Sequence, residues 1–459
     1  MASDRVIGVA ATGGLGSGFL EESLIAAMEA GADFIGCDAG SSDGGPYFLG
    51  SGEPKVSAEA YERDLRPMLR AAVHYGVPLL MGTSGYAGGR PHVAWAAERV
   101  RKVASEEGLA FDMAVIDSEV EKDYVHRKLR EGRITPLGHV PPLDPERIDR
   151  AARITAQMGS EPFEEALRNG AQVIVAGRAS DTAIYAAVPR MHGLVGGPTW
   201  HAAKVLECGA ASVEHRHHPD CLVAEITEDA FTVYPPNERM RCTPQSVAAQ
   251  TLYENADPFH LIEPAGVLDT TGAVYEQAGP RSVRVSGSTM LERGFYDVRL
   301  EASERLGYRS VAVGGIRDPL VLRDLDGFLT DAVETSRRKI QQSMGLGDAE
   351  GVVLSYRVYG RDGCLGPLEP TPIVTGHEVG IVLDVVAPTR EQARGACAIA
   401  WHTVLHHFVE GWSGLVSNVA YPFSPPHMDA GEVYEFTMNH VLALDDPLEP
   451  FAFAYERVG

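Results

Sequence analysis

Side chains that could carry chemistry recur at one kind of position, directly after short apolar runs that have the composition of buried strands. Because the carboxyl ends of parallel strands lie along one sheet edge, these side chains predict a ligand crevice there. Any one of them could belong to an ordinary polar turn, but a polar group after every run favours a site. They are Thr12, Ser17, Asp38, Ser41, Ser42, Asp43, Thr83, Ser84, Asp117, Ser118, Arg178, Ser180 and Asp181.

The carboxylates suggest catalytic roles in this crevice. Asp38, Asp43 and Asp181 are the candidate catalytic groups, because a carboxylate can act as a general base. Asp38 and Asp43 could instead hold a divalent cation such as Mg²⁺ or Mn²⁺, which prefers oxygen ligands. Helix capping or turn formation would explain each aspartate equally well. The cofactor therefore stays open, with a divalent cation as the candidate.

Arg178 is the candidate substrate clamp, since a planar guanidinium binds a carboxylate, phosphate or carbonyl through paired hydrogen bonds. Arg90, just after the third strand, is a second cationic candidate. Hydroxyl groups would complete the substrate site. These are Ser17, Ser41, Ser42, Thr83, Ser84 and Ser180.

A long connection follows the second predicted strand. The apolar run ends at Cys37 and the next helical pattern starts near Ser57, which leaves roughly 18 residues with little predicted structure. Tyr47, Phe48 and Leu49 lie within it, although a disordered linker has no need of such residues. We therefore expect an ordered loop that folds over a ligand.

The first glycine loop allows a second interpretation. Gly14 and Gly16 follow a strand and precede a helix, and Asp38 ends the next strand, as in dinucleotide-binding folds. The spacing is GxGxG rather than GxGxxG, and Glu21 and Glu22 would oppose a pyrophosphate. An NAD(P)-dependent oxidoreductase is therefore kept as the alternative enzyme.

Two groups of histidines are weaker candidates for a functional site. His402 and His406 are four residues apart on a predicted helix, a spacing that can hold a metal, but a polar helix face explains them better. The segment His215–Asp220, HRHHPD, crowds three histidines into a polar break, and a solvated loop is the favoured interpretation.

Composition and charge indicate which classes of binding partner and which cellular location to expect. The chain has 459 residues, and its hydrophobic content of 44% is ordinary for a large globular protein. Its net charge of -23 disfavours binding to nucleic acid and to anionic membranes. Its six cysteines form no CxxC pair, and the amino terminus resembles no signal peptide. We expect a cytoplasmic enzyme that acts on a small molecule and forms a homo-oligomer.

The order of the predicted elements indicates the fold class. Strands alternating with helices predict an α/β domain over residues 1–215, with a parallel, Rossmann-like sheet. Short strands and turns follow in a connecting region over residues 216–285. Residues 286–459 predict an α+β domain, with helices at Pro319–Met344 and Arg390–Val409 between strands.

Several segments together resemble the acyclic terpene utilisation protein A family: VIGVAATGGLGSGFLEESL, GCDAGSSDGGPYFLGSG, IVAGRASDTAIYAA and VAYPFSPPHMDAGEVYEFTMNH. The resemblance extends over nearly the whole chain and is closest to a branch with an aspartate-rich GSSDGGP loop. It implies acyl or carboxylic-acid catabolism through a hydratase or lyase step, and a small companion subunit in some members. It supplies no catalytic residues, so the site above rests on the sheet edge.

The sequence therefore predicts a hydratase or lyase that acts on a small carboxylic acid or its CoA thioester. The alternatives are the NAD(P)-dependent oxidoreductase and a non-catalytic subunit of a larger acyl-catabolic complex.

Overall fold

A computed structural model of the chain describes residues 4–371, 373, 376–412 and 417–459. The chain forms two compact units, called unit 1 (Met1–Glu304 with Phe436–Gly459) and unit 2 (Arg305–Glu435). The predicted boundaries at residues 215 and 285 both lie within unit 1. The last residues of the chain also belong to unit 1 rather than to a separate carboxyl-terminal domain.

The strands are numbered in chain order. They are β1 (Val6–Ala10), β2 (Phe34–Asp38), β3 (Leu79–Gly82), β4 (Phe111–Asp117), β5 (Ile134–Pro136), β6 (Ala151–Ala156), β7 (Val173–Ala176), β8 (Val213–Glu214), β9 (Leu222–Ile226), β10 (Ala230–Tyr234), β11 (Arg241–Cys242), β12 (His260–Glu263), β13 (Gly266–Asp269), β14 (Val274–Gln277), β15 (Val283–Ser286), β16 (Thr289–Glu292), β17 (Tyr296–Ile316), β18 (Val353–Tyr359), β19 (Val379–Ala387), β20 (His427–Leu444) and β21 (Ala452–Val458).

The helices are likewise numbered in chain order. They are α1 (Glu21–Glu29), α2 (Pro46–Ser51), α3 (Ala58–Tyr75), α4 (Arg90–Glu107), α5 (Lys122–Arg130), α6 (Pro145–Arg150), α7 (Glu161–Arg168), α8 (Asp181–Met191), α9 (Gly197–Leu206), α10 (Pro244–Leu252), α11 (Pro319–Arg323), α12 (Leu325–Met344) and α13 (Arg390–Leu405).

Unit 1 is built on a large mixed sheet. Its strand order is β14-β15-β10-β9-β1-β2-β3-β7-β4-β21 in the described residues, and β1, β2, β3, β7 and β4 are parallel. The flanking strands β9 and β21 run antiparallel to this central group. The predicted α/β class is therefore confirmed, with antiparallel additions on both sides of the parallel strands.

Helices cover both faces of that sheet, which explains why its central strands are apolar on both sides. One face packs on α1, α3 and α4, through residues such as Leu24, Leu65 and Val100. The other packs on α8 and α9, through residues such as Ile184 and Trp200. With both faces covered, ligands have access mainly at the strand ends.

Unit 2 contains a smaller antiparallel sheet and three α-helices among its described residues. Strand β19 pairs with β18 and with the Tyr308–Ile316 part of β17. Helices α12 and α13 pack on this sheet through Ile340 of α12 and through Ala396 and Ala400 of α13. Among the helices of the described residues, none is both long and apolar enough to cross a membrane.

Several predicted elements differ from the structure. The long connection after β2 contains a short helix, α2, which begins at Pro46 and ends at the left-handed Gly52. The predicted α/β region also contains β5 and β6, which do not belong to the parallel sheet, and β17 continues without a break from Tyr296 to Ile316. No pattern predicted that β21 would return to pair with β4.

Candidate functional site

The structure brings together the predicted residues that follow β2, β3 and β7. Thr83 Oγ1 accepts hydrogen bonds from the backbone N–H of Ala179 at 3.2 Å and from Arg178 Nη1 at 3.5 Å. Arg178 Nη2 donates to Ser42 Oγ at 3.4 Å. Asp38 ends β2 and interacts electrostatically with Arg178 and with Asp181. The sheet edge is therefore a single polar cluster.

Arg178 is held mainly by a residue outside the predicted set. Its Nε donates to the buried carboxylate of Glu301 at 2.8 Å, whereas Asp181 is 3.9 Å away. Glu301 also accepts from Ser42 at 3.1 Å and pairs with Arg299 at 3.1 Å. Although burial opposes ionisation, Arg178 and Arg299 lower the pKa of Glu301. Much of the guanidinium is therefore already engaged by the protein.

Other predicted residues have local roles or lie apart. Arg90 pairs with Asp117 at 2.6 Å and with Glu121 at 2.9 Å, in a partly exposed network. Ser41 Oγ accepts from the backbone N–H of Asp43 at 3.0 Å, and Asp43 is exposed. Ser17 is also exposed, in the glycine loop after β1.

Two hydroxyl groups complete the predicted set. Ser84 is fully buried, and its Oγ has no hydrogen-bond partner in the described part of the chain. Ser180 Oγ donates to Glu263 at 2.8 Å. Ser180 therefore belongs to a buried polar network, although its partner was not predicted.

Glu263 is one of three buried charged residues that the sequence interpretation missed. It lies on β12, where Ser180 and Thr182 both donate to its carboxylate. Lys204 and Glu207 come from the end of α9, with Lys204 Nζ 2.5 Å from Glu207 Oε1. Asp181 interacts electrostatically with Glu207, Glu263 and Lys204, which links these residues to the predicted cluster. We call Asp38, Asp181, Lys204, Glu207 and Glu263 the buried acid cluster.

The pKa of each carboxyl group in this cluster is raised above its ordinary value. Burial raises the pKa of Glu207 to about 8 and the pKa of Glu263 to about 7. Burial and the neighbouring Asp181 raise the pKa of Asp38 well above its ordinary value, and burial raises the pKa of Asp181. Glu207 and Glu263 can therefore donate and accept protons near neutral pH.

Asp181 has the least complete set of partners. Its Oδ1 is buried without a hydrogen-bond partner among the described residues, while the side chain as a whole is 38% exposed. A carboxylate oxygen in this state can accept a proton or a hydrogen bond from a ligand. Asp181 is therefore the member of the buried acid cluster best placed to meet a substrate.

The connection after β2 covers part of this edge. Gly40 is needed there, because a Cβ would approach the Tyr86 backbone to 2.1 Å. Phe48 packs edge-on against the Tyr86 ring at 4.8 Å, and Ser42 bonds Glu301 beneath the loop. Thr83 and Tyr86 have positive φ angles of 50° and 101°, which is uncommon for residues with side chains. Backbone strain is thus concentrated where the loop meets the site.

The glycine loop after β1 is organised by internal carboxylates. Asp64 Oδ2 accepts hydrogen bonds from the backbone N–H groups of Gly16 and Gly18, each at 2.8 Å. Asp220 Oδ1 accepts from the backbone N–H of Leu20, at the start of α1. These amide donors are the kind that would bind a pyrophosphate, but in this loop they bind the protein itself. The structure gives no support to a dinucleotide at this loop.

A cavity of about 440 Å³ opens beside the glycine loop. Gly13, Cys208 and Tyr253 are among the residues that line it. Cys208 interacts electrostatically with Asp38, Lys204 and Glu207, and Lys204 Nζ lies 6.0 Å from the centre of the Tyr253 ring. The cavity therefore adjoins the buried acid cluster.

Comparison with known protein families returned one match. Residues 57–414 match the model of the acyclic terpene utilisation family protein AtuA. The chain belongs to this family. The predicted resemblance is thereby confirmed, and the family assignment points to a role in acyclic terpene or acyl catabolism. Comparison with curated proteins and with solved structures gave no match.

The family match does not indicate whether the protein binds a metal ion, so we consider the side chains of the site. In the ranges that the structure describes, no group of three or more His, Cys, Asp or Glu side chains is arranged to hold a metal ion. Asp38 is bonded by the backbone N–H of Gly40 at 3.1 Å, and Asp43 is exposed. Mg²⁺ or Mn²⁺ at these two residues stays a prediction.

The missed residues carried a signal in the sequence. Lys204 and Glu207 are three residues apart in an otherwise apolar run, AAKVLEC, within a helix that is buried along its whole length. Charged residues are almost never fully buried unless they are paired. Glu263 and Glu301 lie in strands and gave no comparable signal, because their partners are distant in sequence.

Proposed function

We propose that this protein is an enzyme of acyl catabolism, a hydratase or lyase that acts on a small carboxylic acid or its CoA thioester. The observation that carries the proposal is the buried acid cluster at the carboxyl edge of the parallel sheet. Its four carboxyl groups interact with two cations, Arg178 and Lys204, and Arg178 is largely engaged by Glu301. With pKa values of about 8 and about 7, Glu207 and Glu263 retain protons near neutral pH.

Removal of water from a hydroxyacyl group needs a base and an acid together. A base takes the proton next to the carbonyl, the C–H electron pair forms the double bond, and the hydroxyl group leaves as water after it receives a proton. Neighbouring carboxyls with pKa values driven apart can fill these roles. Asp181 is the proposed base, because Arg178 and Lys204 favour its ionised form and its Oδ1 has no hydrogen-bond partner among the described residues. Asp38 is the proposed acid, because burial and the neighbouring Asp181 raise its pKa well above the ordinary value.

Other charged residues around Asp38 and Asp181 support the proposed acid and base. Glu207 and Glu263 interact electrostatically with Asp181 and so influence how readily it takes up a proton. Arg178 ties Glu301, Thr83 and Ser42 together, and these contacts support a positioning role at the sheet edge. Asp43 interacts with Asp181 from the loop, and we assign it a modulating role.

Deuterium exchange tests the proposal with a panel of compounds in place of a single substrate. The protein is incubated in D₂O with short 3-hydroxy acids, 2-unsaturated acids and their CoA thioesters, and mass spectrometry follows deuterium uptake next to the carbonyl. We expect at least one member to gain deuterium, and Asp181→Asn and Asp38→Asn to slow the uptake by about 10²–10⁴-fold.

Asp117→Asn is the matched control, because Asp117 also ends a parallel strand but pairs with Arg90 outside the cluster. Equal rates for the Asp38 and Asp117 variants would contradict the proposal. An arm with EDTA tests the predicted cation at Asp38 and Asp43, since a required metal would make the uptake sensitive to the chelator.

A further inference from the structure

The cavity of about 440 Å³ beside the glycine loop has features of a ligand site that the proposed proton chemistry does not use. Its volume lies in the range of small-molecule pockets. One side is formed by Gly13 and Gly14, where the backbone reaches the surface of the cavity. Ala210, Ala211 and Tyr253 add apolar surface.

A buried amide lines this cavity without a suitable acceptor. Gln250 is only 6% exposed, and its Nε2 has no hydrogen-bond partner in the described ranges. The Cys208 side chain interacts with this amide, and sulfur is only a weak hydrogen-bond acceptor. A buried N–H donor left in this state costs free energy, so a ligand oxygen beside it would be stabilised.

A cation lines the same cavity. Arg216 is exposed and, within the part of the chain that the structure describes, makes no hydrogen bond or ion pair. It belongs to the segment His215–Asp220, HRHHPD, so three histidines are its close neighbours in sequence. In a chain with a net charge of -23, an arginine in this state at a cavity is a specific attraction for an anion.

Asp220 is the one carboxylate among the described residues that line the cavity, and hydrogen bonds engage both of its oxygens. The donors belong to Leu20, Ser23, Cys221 and Asn237, and these hydrogen bonds spread its charge. Glu254 interacts with the hydroxyl of Tyr253. Arg216 therefore remains available to an incoming ligand.

We propose that this cavity binds an oxyanion group of a ligand, a phosphate or a carboxylate, with Arg216 as its cation and Gln250 Nε2 as a donor to a ligand oxygen. A guanidinium can bind either group through two parallel hydrogen bonds. The inference goes beyond the proposed function, because it concerns equilibrium binding at the glycine loop and not proton transfer at Asp38 and Asp181.

Calorimetric titration of the full chain with two probes tests this assignment and separates the two sources of an oxyanion. Pyrophosphate represents the phosphate group and succinate the carboxylate group. We expect at least one probe to bind, and Arg216→Ala to weaken that binding by about tenfold or more. Arg216→Lys keeps the charge but loses the fork, so its affinity should lie between the two.

Arg130→Ala is the matched control, since Arg130 is also exposed in unit 1 but does not line the cavity. Gln250→Leu should weaken binding by about three- to tenfold, with thermal unfolding run in parallel to verify its fold. Absence of binding by both probes, or unchanged affinity in Arg216→Ala, would overturn the inference. Equal losses in the Arg130 and Arg216 variants would do the same. None of these outcomes alters the deuterium-uptake result.

Discussion

Two groups of aspartates at the same edge of the unit 1 sheet differ in how completely they are hydrogen-bonded. Asp64 and Asp220, beside the glycine loop, accept hydrogen bonds on both carboxylate oxygens. Asp181, after β7, keeps a buried Oδ1 with no partner among the described residues, and Asp38 receives one backbone hydrogen bond at 3.1 Å. The two groups are close in the fold but differ in environment.

This difference separates structural carboxylates from those that can perform chemistry. A carboxylate with its oxygens satisfied holds a loop in place, and it has little capacity left for a ligand. A buried carboxylate with unsatisfied capacity is costly to keep ionised, so it favours the proton. The glycine loop is therefore rigidly tied, whereas the end of β7 is able to exchange protons.

The largest predicted effect on stability comes from removing Asp220, one of the two aspartates beside the glycine loop whose oxygens are all hydrogen-bonded. Asp220→Ala removes the acceptors of the Leu20 and Cys221 N–H groups, the Ser23 hydroxyl and the Asn237 amide. We expect the free energy of unfolding in urea to fall by about 3 kcal/mol or more, because several buried donors lose their acceptor. Asp181→Asn is the matched comparison and should stay within about 1 kcal/mol of the unsubstituted protein. Similar losses in both variants would remove the distinction between the two groups.

Arg178→Lys tests whether Arg178 stabilises the sheet edge or binds the substrate. Lysine can keep one contact with Glu301 but loses those with Thr83 and Ser42. We expect the free energy of unfolding to fall by about 1–3 kcal/mol while deuterium uptake changes little. A variant with unchanged stability but strongly reduced uptake would instead identify Arg178 as the substrate clamp that the sequence predicted.

The effect expected at Glu263 is a dependence of stability on pH. Burial raises its pKa from 4.5 to about 7, so the folded state holds a proton that the unfolded state releases between these values. This contribution to stability is complete below about pH 4.5 and is lost as the pH rises through about 7. Glu263→Gln should therefore flatten the fall in stability over this range, by up to about 1.4 kcal/mol per pH unit. Parallel pH profiles of the free energy of unfolding for both proteins would contradict a raised pKa at Glu263.

Much of unit 1 was predictable because its strands are short apolar runs that end in polar turns. The positions of β1, β2, β4 and β7 follow from this pattern, as does the sheet edge with Asp38, Thr83 and Arg178. Strand β21 was not predictable, because its pairing with β4 joins residues far apart in sequence. Helix α2 was missed because glycine and proline mask a pattern of only six residues.

The site was predictable in part for a similar reason. A polar residue directly after a strand indicates the edge of the sheet, so the positions of Asp38, Asp181 and Ser180 at this edge were predictable. The partner of a buried charge is set by tertiary packing, so the pairing of Arg178 with Glu301 and of Ser180 with Glu263 could not be read from local sequence. Local sequence patterns therefore indicated the edge of the sheet but not which buried charged residues pair there.

Titration of the carboxyl groups is the most direct test of the claim that the buried acid cluster retains protons. Infrared difference spectra of the C=O stretch of protonated carboxyl groups can be followed with pH in the unsubstituted protein and in Glu207→Gln. We predict a carboxyl group that titrates at about pH 8 and disappears in the variant, since burial raises the pKa of Glu207. If every carboxyl group loses its proton below about pH 6, the cluster is fully ionised at neutral pH, which would contradict the account.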